Sequence, residues 1–238
     1  MKKIILSAAA AAISLVFSGC IATMPEGYDK VRAAKDKYET LDSARATMTD
    51  LTTGEKIMEF SFYINSNDEM ILSYYGKDGD NEMYAYSDGA EYFYKENGAE
   101  LWSVISSADE NYIYNVYNRD YRYPYADGGI FFLDGGSVET AVVDENSDGS
   151  CIITYTYNAD KLNESTKGIL EDVSSFASLS TEFKIDNNGY ITAFTETGTV
   201  TASDGTTREV DMKISIDMMN EVYEIPYPVD RVDKAGQN

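Results

Sequence analysis

The chain has 238 residues, 25% charged and 43% hydrophobic, enough for one full core. It holds no histidine, two cysteines, and 41 acidic against 19 basic residues, for a net charge of −22. The missing imidazoles exclude Ser-His-Asp and Cys-His nucleophiles and His-ligated zinc. Two cysteines make no disulfide framework, and so acidic a surface repels a phosphate backbone, so no nucleic-acid partner is expected.

Met1-Lys2-Lys3 is a short basic start, followed by the apolar run Ile4 to Phe17 and the small pair Ser18-Gly19 before Cys20. That order is a signal peptide's: a charged region, an apolar core and a small-residue cleavage site. Phe17-Ser18-Gly19-Cys20 resembles the lipobox of bacterial lipoproteins, with Ser18, Gly19 and Cys20 matching and Phe17 standing where Leu is usual. The resemblance implies cleavage before Cys20, a thioether lipid on its sulfur, and a membrane anchor. The alternative is an ordinary secreted protein with an incidental cysteine. Residues 1–19 are thus expected as a leader, 20–27 as a lipidated tether and 28–238 as one domain. Removal of the leader takes Lys2 and Lys3 and no acid, so −22 becomes −24.

Tyr28 to Leu41 reads as a helix, because Val31, Ala34, Tyr38 and Leu41 recur at three and four. From Ser43 the period becomes two. Lys56 to Ile64 puts Met58, Phe60, Phe62 and Ile64 on one face; Met70, Leu72 and Tyr74 form the next. Glu82 to Tyr86 and Glu91 to Tyr94 flank the turn Ser87-Asp88-Gly89. Trp102 to Tyr117 fits a helical period, though Tyr112 to Tyr117 also suits a strand; the expectation is a helix before Tyr112 and an irregular Tyr-rich loop after it. Val138 to Val143 and Ile152 to Tyr157 form a hairpin across Asp144 to Gly149. Asp160 is the expected N-cap of a helix carrying Leu162, Ile169, Leu170, Val173 and Phe176. Strands then close the chain: Phe183 and Ile185, Tyr190 to Val200, and an alternating run with Val210, Met212, Ile214 and Ile216 inward. The fold class is α+β, one antiparallel sheet with helices packed on a single face.

That order resembles the LolA/LppX-type domain of bacterial lipoprotein carriers and lipid-binding lipoproteins. The matching segments are the N-terminal helix, the Phe60-Ser61-Phe62-Tyr63 hairpin, the Tyr84 to Tyr94 strand–turn–strand step, a helical insertion, and the closing Asn220 to Pro226. The resemblance implies a curved half-barrel whose concave face is covered by an N-terminal helix and inserted helices. It also implies a cavity for a lipid or a lipidated partner, with Phe60, Phe62, Ile64, Met70, Leu72, Met212, Ile214 and Ile216 as candidate lining. The same residues serve equally as plain core, since a dry core and a pocket differ only in volume.

Ten of the 20 tyrosines lie between Tyr84 and Tyr125. Tyr121, Tyr123 and Tyr125, with an apolar face and a polar tip each, are candidates for glycan or protein contact, or for rings packed on the sheet. Asp144, Asn146, Asp148 and Gly149 match half of a calcium loop, but Tyr155 stands where its closing Glu belongs, so a hairpin turn is expected there and no metal site. Cys151 opens an apolar run and reads as a packed thiol. Paired carboxylates alone could hydrolyse glycosides, yet no motif selects a pair. The expectation is a non-enzymatic protein without cofactor.

Overall fold

The computed structural model describes residues 24–38, 40–88, 91–104, 131–167 and 173–227. The period-two segments pair into one eleven-stranded sheet, antiparallel throughout. Its first half comprises β1 (Ser43–Asp50), β2 (Lys56–Ile64), β3 (Met70–Asp78), β4 (Asn81–Ser87), β5 (Tyr92–Glu96) and β6 (Ser103–Val104). Its second half comprises β7 (Val138–Glu145), β8 (Cys151–Tyr157), β9 (Val173–Ile185), β10 (Ile191–Ala202) and β11 (Thr207–Asp217). The spatial order is β6-β5-β4-β3-β2-β1-β11-β10-β9-β8-β7, so each half is a meander and β1 against β11 is the seam. Among the described residues the sheet is open, with β6 and β7 as its edges. Arg45 crosses the seam as a two-bond fork to Asp217, both distances 2.8 Å, on the solvent side, where such pairs contribute about 1 kcal/mol or less.

Two helices are described, α1 (Tyr28–Tyr38) and α2 (Ala159–Thr166). α1 buries Val31, Ala34 and Tyr38, the stripe its spacing predicts. Gly27 leads into it at φ +77, and a Cβ there would stand 2.9 Å from Val143 Cγ2. Only glycine suits both the left-handed turn and that close approach. α1 stops three residues before Leu41, where the Thr40 and Leu41 N–H groups fold back on Lys37 and Tyr38.

The sequence reading fails in three places. The helix expected from Asp160 to Phe176 is the single short α2, and Val173 and Phe176 belong to the thirteen-residue strand β9. Val173 and Phe176 fit a helical spacing, but Phe176 also starts a run continued by Leu179, Thr181, Phe183 and Ile185, all buried. Pairing with β10 along nearly its whole length decides in favour of the strand. The cap of α2 is Asn158, whose Oδ1 accepts from the Lys161 N–H at 3.0 Å; Asp160 lies in the first turn. Trp102 does not begin a helix but sits in a bridge beside β6; residues 105–130 lie outside those described. Asn220 to Pro226, expected as a closing strand, is irregular. Met218 and Asn220 have φ of 52 and 57, and Val222 N–H donates to Ser43 Oγ at 3.1 Å rather than joining a ladder.

The two faces of the sheet carry separate cores. The larger lies on the face covered by α1, the inner face. The smaller lies on the opposite face over β3, β4 and β5, where Val222 and Ile225 of the C-terminal segment cover Ile71, Tyr86 and Phe93.

Candidate functional site

The register brings all eight predicted lining residues to the inner face. Ile64 stands opposite Met70 and Phe62 opposite Leu72. Across the seam, Ile216 faces Ala46 and Ile214 faces Met48, and Ala46 in turn faces Phe60. Seven of the eight are buried and Ile64 packs against them in one cluster. The small Ala44 and Ala46 of β1 leave room that the Phe60 and Phe62 rings fill, their centroids 5.8 Å apart. Burying each such ring contributes about 1.5–3 kcal/mol.

Among the described residues, three segments pack on the β8–β10 part of this face. The first is α1, anchored where Tyr155 Oη donates to the Glu26 carbonyl at 3.1 Å. The second is the stretch from Phe131 to Ser137. The Phe131 ring meets Phe194 edge-on at 5.3 Å, and Phe132 meets Tyr157 at 5.5 Å. The third is α2. Asp134 ties the last two together by accepting from Ser137 Oγ at 2.5 Å, Ser165 Oγ at 2.6 Å and the Gly136 N–H at 3.0 Å.

In the middle of the inner face lies a residue that the sequence reading missed. Tyr155, Thr181, Glu196 and Met212 form one row across β8, β9, β10 and β11. Glu196 is 1% exposed, and among the described residues neither carboxyl oxygen has a hydrogen-bond partner. Thr181 Oγ1 is occupied with Tyr157 Oη, 3.1 Å away. Burial pushes the Glu196 carboxyl up to about 8, so it holds its proton at neutral pH. The signal was present in the strand's alternation. Thr195, Thr197, Thr199 and Thr201 share one phase, which leaves Glu196 in the inward phase with Phe194.

Among solved structures, the chain is similar to LprF from Mycobacterium bovis. The identity is 12%, the TM-score 0.47, and the match spans 86% of this chain and 99% of that one. No family model and no curated protein matches the chain. A likeness this distant bears on neither ligand nor activity.

The opposite face is aromatic. Tyr75 and Tyr84 lie 5.2 Å apart and Tyr84 meets Trp102 edge-on at 6.4 Å. Both tyrosine hydroxyls donate to Glu82, at 3.2 and 2.9 Å. Beside them is an open pocket of about 380 Å³, lined by Glu82, Tyr84, Lys95, Trp102 and the turn at 96–99. The predicted surface residues Tyr121, Tyr123 and Tyr125 lie outside the described residues, as does Cys20.

Two smaller expectations are settled. Asn146 and Asp148 spend their side chains on Ser150 inside the β7–β8 hairpin, the turn reading of that stretch. Cys151 is buried at the start of β8, and burial pushes its thiol up, away from reactivity. Among the described residues no helix is long and apolar enough to cross a membrane.

Proposed function

We propose that this chain is a lipid-anchored extracytoplasmic protein that binds or carries a hydrophobic ligand, a lipid or a lipidated partner, without catalysing a reaction. The ligand would lie between the inner face of a half-barrel and the segments over it. The observation that carries this reading is the inner face itself. It carries a broad apolar surface from β4 to β8, interrupted by Glu196 and Thr181, and α1, α2 and the Phe131 to Ser137 stretch pack over its β8–β10 part. The Ser18-Gly19-Cys20 motif after an apolar leader supports the anchor. Two or three acyl chains on Cys20 would hold it stably, and one would not. Residues 21–27 span about 25 Å at most, so the body would sit close to the membrane.

Native mass spectrometry of the gently purified full chain tests both halves. A modified Cys20 and a copurifying acyl species are expected. An unmodified, lipid-free chain that also takes up no added lipid overturns the reading.

A second reading, a surface-recognition module for glycan or protein, is favoured by the pocket beside Tyr84 and Trp102. It pairs aromatic walls with polar groups from Glu82 and Lys95. Replacing Trp102, or Tyr121, Tyr123 and Tyr125, by Ala should then abolish binding with little change in thermal stability. A large loss of stability would make those rings core.

A further inference from the structure

Tyr84 and Trp102 wall the outer-face pocket, and each is held by its neighbours. Tyr84 stands opposite Tyr75 of β3 and Lys95 of β5. Its ring lies beside Tyr75 and meets Trp102 at 66°, so the two walls form a corner. The Glu82 carboxylate fixes both tyrosines, one hydroxyl on each oxygen. Trp102 is half-buried and packs against the second core. On the turn side the corner is open: a Cβ on Gly98 would meet nothing within 4 Å. The volume of about 380 Å³ falls within the range of small-molecule sites.

The polar groups around this corner carry both signs and keep bonding capacity. Lys95 Nζ donates to the Glu100 carbonyl at 3.4 Å, which leaves two further N–H donors. Each Glu82 oxygen takes one tyrosine and can accept once more. Asn97 spends Nδ2 on the Asp80 carbonyl, and among the described residues its Oδ1 is unspent. Lys77, opposite Glu82 in register, is tied to Glu55. A cationic ligand would meet Lys95 here. An anionic one would meet Glu82 and Glu96, in a chain of net charge −22. The fitting ligand is therefore neutral. It has an apolar face for an aromatic wall, and a rim of groups that donate to a carboxylate and accept from an ammonium. A sugar ring has that chemistry. A protein partner fits less well, because Leu101 is the one exposed large apolar side chain adjoining Trp102, and a stable protein interface covers about 800 Å² on each side.

We infer that this corner binds a neutral oligosaccharide, one sugar ring stacked on Trp102 with its hydroxyls exchanging hydrogen bonds with Glu82 and Lys95. This rests on the surface-recognition reading above and narrows it to glycan.

Trp102 is the chain's single tryptophan, so tryptophan emission reports on this corner alone. The test titrates the purified full chain with cellotriose, maltotriose and chitotriose as neutral probes, trigalacturonate as the anionic one and fully deacetylated chitotriose as the cationic one. A saturable change in emission is expected with at least one neutral probe, at an affinity about tenfold above that for either charged probe. Lys95→Met, which keeps the apolar stem, should weaken that binding about tenfold with the melting temperature unchanged. A charged probe that binds as tightly as the neutral ones, or undiminished affinity in Lys95→Met, overturns the inference while leaving the surface-recognition reading intact. No response of Trp102 to any probe overturns the inference and the glycan half of that reading together.

Discussion

Asn163 holds the backbone of Phe176 through both ends of its amide. Nδ2 donates to the Phe176 carbonyl at 3.0 Å, and Oδ1 accepts from the Phe176 N–H at 2.6 Å. The pairing of β8 with β9 reaches only as far as Thr156 opposite Ser180, so the early residues of β9 extend past their neighbour. A side chain from α2 thus satisfies peptide groups that a strand would otherwise pair. Asn163→Ala should cost about 1–3 kcal/mol, read as a lower midpoint in urea. An unchanged midpoint would mean that water replaces the amide without loss.

Gly198 should tolerate no side chain, although its backbone is not left-handed. Between the partners of Thr199 and Val200, β9 carries one extra residue, Ala177. This bulge brings the Ser178 carbonyl oxygen to 2.4 Å from where a Cβ of residue 198 would stand. Backbone cannot swing aside as a side chain does, so Gly198→Ala forces the two strands apart. A loss of about 1–3 kcal/mol is expected, and a melting temperature equal to wild type would contradict the close approach.

Glu196 makes stability depend on pH with a definite sign. Its unfolded carboxyl titrates near 4.5 and its folded one near 8. Between those values the unfolded chain has released a proton that the folded chain keeps, so stability falls as pH rises through the interval. The contribution is fully present below pH 4.5 and lost above pH 8. General repulsion at a net charge of −22 adds a slope of the same sign, so the comparison is between proteins. Glu196→Gln should lose less stability than wild type between pH 5 and pH 8.5 in urea titrations. Parallel losses would show that the carboxyl is solvated.

The C-terminal segment should act as a clasp on one end of the sheet. Val222 and Ile225 are buried over Ile71, Tyr86 and Phe93, and Tyr227 meets Tyr86 and Phe93 edge-on at 5.4 and 5.7 Å. Removing residues 222–238 should speed amide exchange in β4 and β5 while β9 and β10 stay protected. Uniform loss of protection would make the clasp part of the global core instead.

How much of this was legible depends on periodicity. Lys56 to Ile64 alternates cleanly and became β2 with the same ends; the inward set of β11 was equally plain. Val173 and Phe176 misled because three-residue spacing satisfies a helix, and only the distant partner β10 selects the strand. Asn220 to Pro226 misled because its strand-like residues Val222 and Ile225 serve as plugs over the second core, fixed by Ser43 of β1 rather than by a neighbour in a ladder. Glu196 was hidden for another reason. A glutamate among threonines looks like an exposed strand residue, and only its phase relative to Phe194 betrays it.

The seam between β1 and β11 has a kinetic meaning as well. Arg45 and Asp217, joined across it, are 172 positions apart. At a synthesis rate of about 5–20 residues per second, β1 waits roughly 10–30 s for its partner. Each meander can hairpin on its own in the meantime, but neither half can supply the other's missing neighbour. So long a loop is slow to close, and until the last strand arrives β1 offers its free edge to any other chain nearby. For this topology, the hazard of misassembly is concentrated at the first strand made and ends with the last.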